Sequence, residues 1–279
     1  RIPIGISGLT AHVTTLYSGF GVDASLNSLS IKGSTRSTEV GLTYPLLLRF
    51  GRQLYAEGST TQRSVGSDIE MLDPMRKSSR VQRFGLRGSA ADNFGAGGIT
   101  AGRINIFEGS VSPQAGFSDS STRGFRKQSF EFSRSQTLTG KTSLQLSLSG
   151  QRTRNTLDGA EQMAFGGSGA VRAYGAAALF ADQGNLYKAE LTHVLSSDFA
   201  SAGVLRGFVF YDRGVAFHDP VTGTRNTPSG AGLGLSLMRW TQYEVRTTYA
   251  RRVGMSTAGN LLEDQHRSGQ LWINVLAFF

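Results

Sequence analysis

The fold of this chain is decided by the stretch Gly166-Gly167-Ser168-Gly169-Ala170-Val171-Arg172-Ala173-Tyr174-Gly175, in which glycines surround a single arginine. Glycine density of this kind allows a backbone to turn back on itself and to pack closely against a wall of other residues. The nearest carboxylates in the sequence, Glu161 and Asp182, lie outside the tip of this segment. A partner for the arginine is therefore expected elsewhere in the chain.

A candidate partner is Asp212, in the stretch Phe210-Tyr211-Asp212-Arg213-Gly214 that ends an apolar, β-prone run. Side chains of a strand alternate between its two faces, so Asp212 and Tyr211 point to opposite sides. We predict that Arg172 and Asp212 meet.

The two stretches together resemble a known family. Gly-Gly, Val-Arg-Gly-Tyr and Asp-x-Gly, followed by Phe-x-Asp-x-Gly, is the pattern of the two-partner secretion transporters (TpsB), which belong to an outer-membrane superfamily that includes the BAM and TAM insertases. The matching segments here are Gly166-Gly167, Val171-Arg172-Ala173-Tyr174, Asp182-Gln183-Gly184 and Phe210–Gly214. The residues that support these motifs are Gly166, Gly167, Val171, Tyr174, Gly184, Phe210 and Gly214.

The sequence departs from the family pattern at Ala173, where the family usually has glycine. Alanine tolerates a positive φ poorly, so the departure puts the backbone of the loop tip in question. The charge chemistry of the neighbouring arginine is unaffected.

The composition favours one large β domain. The chain has 279 residues, 36 glycines, six prolines and no cysteine, and polar and apolar residues alternate through much of it. No run of eighteen or more apolar residues is present, so a transmembrane helix is excluded at the sequence level. The formal charge of +9 comes from scattered basic residues with no basic cluster, so no nucleic-acid partner is predicted.

The alternation has the period of β-strands, with Leu144, Leu146 and Leu148 on one parity as the clearest case. The alternation predicts thirteen strands. Their approximate ranges are 8–18, 22–32, 38–48, 53–63, 80–89, 98–108, 127–136, 142–153, 185–195, 203–213, 230–240, 243–252 and 269–279.

The connections between these strands alternate in length. Short connections are predicted after the third, fifth, seventh, ninth and eleventh strands, and mostly long ones at 66–79, 109–126, 155–184, 215–229 and 254–267. Short turns at one rim and longer loops at the other are typical of outer-membrane β-barrels. The fold class predicted is therefore all-β, a transmembrane antiparallel β-barrel with an inward-folded hairpin loop.

Bacterial single-chain barrels have an even number of strands, whereas the predicted number here is odd. This predicts that the first strands are missing from the chain. The resemblance implies a barrel of about sixteen strands preceded by periplasmic POTRA modules. Residues 1–279 are therefore interpreted as the C-terminal transmembrane barrel domain of such a protein.

A carboxylate that faces hydrocarbon is costly, so Asp212 must face the interior of the barrel and Tyr211 the lipid. A hairpin loop folded inward would place Arg172 within reach of Asp212, where a bidentate ion pair can form. We predict that Arg172 and Asp212 are a loop-to-wall latch. The alternative is that Arg172 is one of many arginines in a basic pore.

No enzymatic site is predicted. The four histidines, His12, His193, His218 and His266, have no metal-binding spacing. No Gly-x-Ser-x-Gly motif is present, and the glycine-rich stretch lacks the lysine of a phosphate-binding loop. The sequence therefore predicts no catalytic residue, no metal and no cofactor, although a scattered Ser-His-Asp arrangement is left open.

The resemblance implies a pore of the bacterial outer membrane that secretes an unfolded partner exoprotein without ATP. That exoprotein would be an adhesin, a haemolysin or a contact-dependent toxin. The path is predicted to be lined by residues such as Arg103, Glu131, Glu190, Glu244 and Arg246. The alternatives are an insertase of the same superfamily and a passive porin.

Two further partners are implied. The apolar strand faces are expected to contact outer-membrane lipids. The last strand ends on the aromatic Phe279, which resembles the C-terminal signal that the barrel-assembly machinery recognises. The alternative is a plain terminal strand.

Overall fold

The computed structural model describes residues 2–6, 8–24, 29–69, 75–115, 123–176, 178–217, 225–254 and 269–278. All regular secondary structure in these ranges is β-strand. No helix there has the length and apolarity needed to cross a membrane.

The strands in chain order are β1 (Ile2–Ile4), β2 (Leu9–Ala24), β3 (Leu29–Arg49), β4 (Arg52–Ile69), β5 (Met75–Asp92), β6 (Gly98–Ala115), β7 (Arg123–Thr139), β8 (Thr142–Thr153), β9 (Met163–Ala164), β10 (Phe180–Ala181), β11 (Gln183–Ser196), β12 (Val204–Phe217), β13 (Arg225–Asn226), β14 (Ser229–Arg239), β15 (Tyr243–Arg252) and β16 (Gly269–Ala277). Fourteen of them belong to one sheet, in which successive strands pair in chain order and the short β13 pairs with β12. Strands β9 and β10 form a separate two-stranded sheet. The all-β prediction is confirmed.

The chain divides into two compact units. Unit 1 comprises Arg1–Gly88 and Arg103–Gln128, and unit 2 comprises Ser89–Gly102 and Ser129–Phe279.

In unit 1, β1 to β4 pair antiparallel in chain order. Leu42, Tyr44 and Leu46 are exposed on one face of the sheet. On the polar parity, Arg83 Nη1 lies 3.0 Å from Glu57 Oε2, and Arg87 also pairs with Glu57. This unit therefore has the division between an apolar and a charged face that the alternation predicts.

In unit 2, β8, β11, β12, β14, β15 and β16 pair antiparallel in that order. On β12, Phe208, Phe210 and Asp212 are buried, whereas Val209 and Tyr211 between them are exposed. Asp212 and Tyr211 thus point to opposite faces of β12, as predicted.

The predicted strand at 22–32 is wrong. Strand β2 continues to Ala24, β3 begins at Leu29, and Val22 pairs with Ile31 across the hairpin. Residues 25–28 lie outside the described ranges. The glycines Gly19 and Gly21 interrupt the side-chain pattern but keep the backbone donors and acceptors that extend the ladder.

The number of strands agrees with the prediction only because two errors cancel. The large sheet has fourteen strands, and thirteen of them remain when the short β13, which pairs beside β12 outside the continuous strand order, is left out. The sequence pattern missed β1, whose three residues pair with Leu9–Ala11, and it added the strand at 22–32.

The connections predicted at 66–79 and 109–126 are also wrong in their bounds. Strand β4 ends at Ile69 and β5 begins at Met75, while β6 extends to Ala115 and β7 begins at Arg123. A sheet can continue beyond an apolar layer without alternation, because its ladder bonds use backbone groups alone. The contrast between short and long connections therefore rests on those that follow β8, β12 and β15.

The short turns are as predicted. They occupy residues 50–51, 93–97, 140–141, 197–203 and 240–242. The longest described connection runs between β8 and β11, over residues 154–182, and carries the glycine-rich stretch. We call it the arginine loop; its residue 177 lies outside the described ranges.

Candidate functional site: the arginine loop and its wall

The base of the arginine loop is an ordered hairpin. Strands β9 and β10 pair there, and the buried Phe165 donates its backbone N–H to Leu179 O at 2.9 Å. The buried carboxylate of Asp182 accepts hydrogen bonds from Leu157 N at 3.1 Å and from Gln162 Nε2 at 2.9 Å. The loop therefore has internal structure before it reaches the sheet.

The tip is a tight backbone turn. Gly167 N donates to Tyr174 O at 2.8 Å, Val171 N donates to Phe165 O at 3.1 Å, and Gly167 has a φ of 108°. Such a φ is readily adopted only by glycine. The turn leaves Val171, Arg172 and Tyr174 buried, so the tip is inserted among other residues.

Gly166→Ala is expected to disrupt this tip, because the carbonyl oxygen of Gly175 occupies the place of an added Cβ. Overpacking of this kind costs about 1–3 kcal/mol. Gly169→Ala is the matched control, since an added Cβ there meets nothing within 4 Å. We expect limited proteolysis of the folded, detergent-solubilised protein to cut the loop faster in Gly166→Ala only. Equal rates in the two variants would contradict the tight turn.

The backbone of Ala173 does not have the positive φ that an alanine would tolerate poorly. The non-glycine residues with positive φ in the described ranges are Ala200, Ser201 and Thr241, so Ala173 carries no such strain. Its side chain is fully buried, and a Cβ added to Gly230 of β14 would lie 2.5 Å from the Ala173 Cβ. A methyl group on the loop is thus accommodated by a glycine on the wall.

The structure brings Arg172 and Asp212 together. Arg172 Nε donates to Asp212 Oδ2 at 2.8 Å, and Nη2 donates to Oδ1 at 2.8 Å. The backbone N of Arg172 donates to Oδ2 as well, at 3.1 Å. Asp212 is fully buried and Arg172 is 5% exposed. A buried carboxylate thus has both its oxygens satisfied by one residue of the loop.

The guanidinium of Arg172 has two further contacts on the wall. Nη1 lies 2.5 Å from Glu190 Oε2 of β11, and the guanidinium carbon lies 3.5 Å from the centre of the Phe210 ring. Burial alone lowers the pKa of this guanidinium, but the hydrogen bonds and charge of Asp212 raise the pKa above its ordinary value. Arg172 therefore stays charged in the docked loop.

A second arginine repeats the arrangement beside the first. Arg246 of β15 donates to Glu190 Oε1 at 2.6 Å and lies 3.8 Å above the centre of the Phe208 ring. Glu190 thus bridges one arginine of the loop and one of the sheet. Lys188, which faces Asp212 across β11 and β12, donates to Gly169 O at 3.0 Å.

Glycines on β14 provide the space that these side chains fill. Phe208, Phe210 and Asp212 stand opposite Gly234, Gly232 and Gly230 in the register of β12 and β14. A Cβ added to Gly232 would lie 2.6 Å from Phe210 Cζ. The wall is therefore shaped to hold the rings on which both arginines stack.

The other predicted motif residues lie around the same loop. Tyr174 is buried, and the guanidinium of Arg252 lies 4.6 Å above its ring. A Cβ at Gly214 would lie 2.8 Å from Phe165 Cδ1, and Gly184 is packed against the same ring. Both glycines thus admit Phe165 at the base of the loop. Phe279 lies outside the described residues, so its role as an assembly signal stays a prediction.

The residues predicted to line a path are dispersed. Glu190 and Arg246 touch the docked loop or its partners, as described above. Glu244 accepts a hydrogen bond from Ser236 Oγ at 3.0 Å, and Arg103 Nη2 lies 3.8 Å from Glu57 Oε2 in unit 1. Glu131 is exposed. Their role in lining a pore stays a prediction.

Three features of the site were missed at the sequence level. They are the bridge through Glu190, the glycines spaced by two on β14, and a contact from Trp272 that is described below. The alternation Gly230-x-Gly232-x-Gly234 has the period of a strand and was a usable signal for a close approach.

The described residues contain no group of three or more His, Asp or Glu side chains that could hold a metal ion. His193 Nδ1 lies 2.9 Å from Thr142 Oγ1, and His12 Nε2 lies 3.1 Å from Glu39 Oε1. His218 and His266 lie outside the described ranges. The described histidines are thus engaged by polar neighbours on adjacent strands.

The solved structures that are similar to this chain include two CdiB proteins. CdiB from Escherichia coli has 20% sequence identity and a TM-score of 0.77, over 97% of this chain and 51% of the CdiB chain. CdiB from Acinetobacter baumannii has 12% identity and a TM-score of 0.71, over 96% of this chain and 47% of the other. The chain thus spans about half the length of these proteins, and the likeness establishes the fold.

No curated protein sequence matches the chain significantly. The family model described as "Haemolysin secretion/activation protein ShlB/FhaC/HecB" matches residues 3–237, which is most of the sequence. This is the TpsB family that the motifs around Arg172 and Asp212 indicate, and its members are outer-membrane β-barrel proteins of protein secretion. The chain therefore belongs to the ShlB/FhaC/HecB family of haemolysin secretion/activation proteins, and its location is the bacterial outer membrane.

Proposed function

We propose that the protein is an outer-membrane pore that secretes a partner exoprotein by two-partner secretion. Membership of the ShlB/FhaC/HecB family supports a secretion role. We further propose that residues 1–279 form the transmembrane barrel domain of a protein that also carries periplasmic POTRA modules. The exposed apolar face would contact outer-membrane lipids, and the barrel-assembly machinery would insert the domain.

The observation that carries the proposal is the arginine loop docked on Asp212. A buried ion pair adds little net stability, because its attraction is offset by the cost of removing both charges from water. A loop held by such a pair can leave its wall as a unit if both charges find water or new partners. Lys188 and Arg246 would remain beside Asp212 and Glu190 after the loop moved. The wall would then hold two cations and two carboxylates, so that undocking would leave no net charge behind.

In this proposal the docked loop braces the wall beside the path, and it is moved or rearranged as the exoprotein passes. The exoprotein would be an adhesin, a haemolysin or a contact-dependent toxin that crosses unfolded. ATP is absent at the outer membrane, so folding of the exoprotein outside the cell would give the movement its direction. The path would be polar, because charged side chains lie beside the loop.

The unfolded state of the cargo can be tested with a fusion protein. We expect an exoprotein that carries a small domain closed by a periplasmic disulfide to stop in the pore, so that its level in the medium falls at least tenfold. The same fusion with both cysteines replaced by serine is the control and should be secreted. Secretion that depends on this protein but is equal for both fusions would contradict passage of an unfolded chain, and secretion without the protein would contradict the proposed function.

A further inference from the structure

The tip of the arginine loop is also held by the last described strand. Trp272 of β16 donates its indole Nε1–H to the backbone carbonyl oxygen of Arg172, at 2.7 Å. In the register of the sheet, Trp272 stands opposite Thr248 of β15. The contact is thus between a loop residue and a strand some distance from Asp212 in the sheet order.

Arg172 is therefore held at both of its main-chain groups. Its N–H donates to Asp212 of β12, and its carbonyl accepts from Trp272 of β16. Two other strands, β14 and β15, separate β12 from β16 in the sheet. A single residue of the loop thus joins two strands that do not pair with each other.

The chemistry of the contact selects tryptophan. An indole nitrogen is a donor only, so it can satisfy a carbonyl oxygen but cannot accept hydrogen bonds from the cations around Asp212. Arg172 is 5% exposed, and a buried carbonyl without a donor is unfavourable. Phenylalanine at this position would keep the ring and remove the donor.

We propose that Trp272 is a positioning residue that fixes the main chain of the loop tip and ties the position of strand β16 to the docking of Arg172. Movement of β16 would weaken the hold on the loop, and departure of the loop would release the Trp272 side chain. This role is separate from the charge pair, since it uses the carbonyl and not the guanidinium.

The test uses a buried cysteine as a reporter of loop opening. Val171 is fully buried and close to cysteine in size, and the natural sequence contains no cysteine. In purified, folded protein carrying Val171→Cys, we expect Trp272→Phe to raise the rate of maleimide labelling about 2- to 13-fold, the range that corresponds to one net hydrogen bond.

Trp240→Phe is the matched control. The chain has two tryptophans, and Trp240 is 77% exposed at a short turn, so its replacement should leave the labelling rate unchanged. An unchanged rate in Trp272→Phe would overturn the proposal, as would an equal increase in both variants. Folding of each variant is checked by the heat-dependent shift of the barrel on gel electrophoresis.

A second measurement covers the case in which Trp272→Phe fails to fold. Trp240→Phe leaves Trp272 as the remaining tryptophan of the sequence. In that background, Arg172→Ala should shift the fluorescence emission of Trp272, because the loop tip leaves it. Unchanged emission would overturn the proposal. Both measurements are made without an exoprotein, so their outcome is independent of the proposed secretion function.

Discussion

Arg172→Ala is expected to abolish secretion of the exoprotein while leaving the barrel folded in the outer membrane. The substitution removes the two guanidinium bonds to Asp212, the pair with Glu190 and the stacking on Phe210. The measurement is the amount of exoprotein in the medium, with the level and folded state of the barrel determined in the same cells.

The magnitude follows from the burial of Asp212, which is 0% exposed. Removing one partner of a buried ion pair costs about 3–5 kcal/mol, because the other charge is left uncompensated. Lys188 faces Asp212 across the strand pair and remains as a nearby cation, so we expect the lower part of this range. The cost falls on the docked position of the loop, since the strands keep their ladders.

Arg213→Ala is the matched control for this prediction. Arg213 neighbours Asp212 on β12 but is exposed on the opposite face. Arg172→Lys should give an intermediate loss, because lysine keeps the charge and lacks the planar pair of donors. Normal secretion by Arg172→Ala, or an equal loss in Arg213→Ala, would contradict the latch.

The same variants separate the proposed transporter from its alternatives. A passive porin does not need the loop to be docked, so Arg172→Ala combined with Asp212→Ala should leave small-solute permeation intact while secretion is lost. Permeation without any dependence of secretion on the protein would favour the porin. A defect in the assembly of other barrels, with secretion unchanged, would favour an insertase.

Gly232→Ala is expected to reduce the amount of folded barrel. An added Cβ would lie 2.6 Å from Phe210 Cζ and 2.9 Å from the Cα of Ala250, and it would also meet the carbonyl oxygen of Tyr249. Overpacking against backbone atoms cannot be relieved by rotating a side chain, so we expect a cost near the upper end of about 1–3 kcal/mol. The urea midpoint of the protein in lipid vesicles measures this cost.

Gly207→Ala is the control for this steric prediction. The atoms nearest to a Cβ at Gly207 belong to the flexible side chain of Leu195, with the closest at 3.2 Å. Its midpoint should stay close to that of the unsubstituted protein. If the midpoints of Gly232→Ala and Gly207→Ala are the same, the close approach of Phe210 and of the β15 backbone to Gly232 is not the reason for the glycine.

The strands best predicted from the sequence were those with strict alternation. The short turn between β3 and β4 and the parity of Asp212 both followed from the period of two, because a half-buried sheet sorts its side chains by face. The prediction of a strand at 22–32 was wrong because glycines weaken the alternation of side chains without interrupting the backbone ladder. The predicted ends of β4 and β6 were wrong for a related reason. Ladder bonds do not depend on side-chain polarity, so both strands continue beyond the alternating pattern.

The sequence by itself determined the fold class, the family and the pairing of Arg172 with Asp212, because each depends on a local motif or on the parity of one strand. The tertiary structure alone decided which other groups surround that pair. Glu190, Trp272 and Gly230 lie on three different strands and meet the loop only through the sheet register. Register depends on cross-strand packing and turn geometry over the whole sheet, and no local pattern in the chain carries that information.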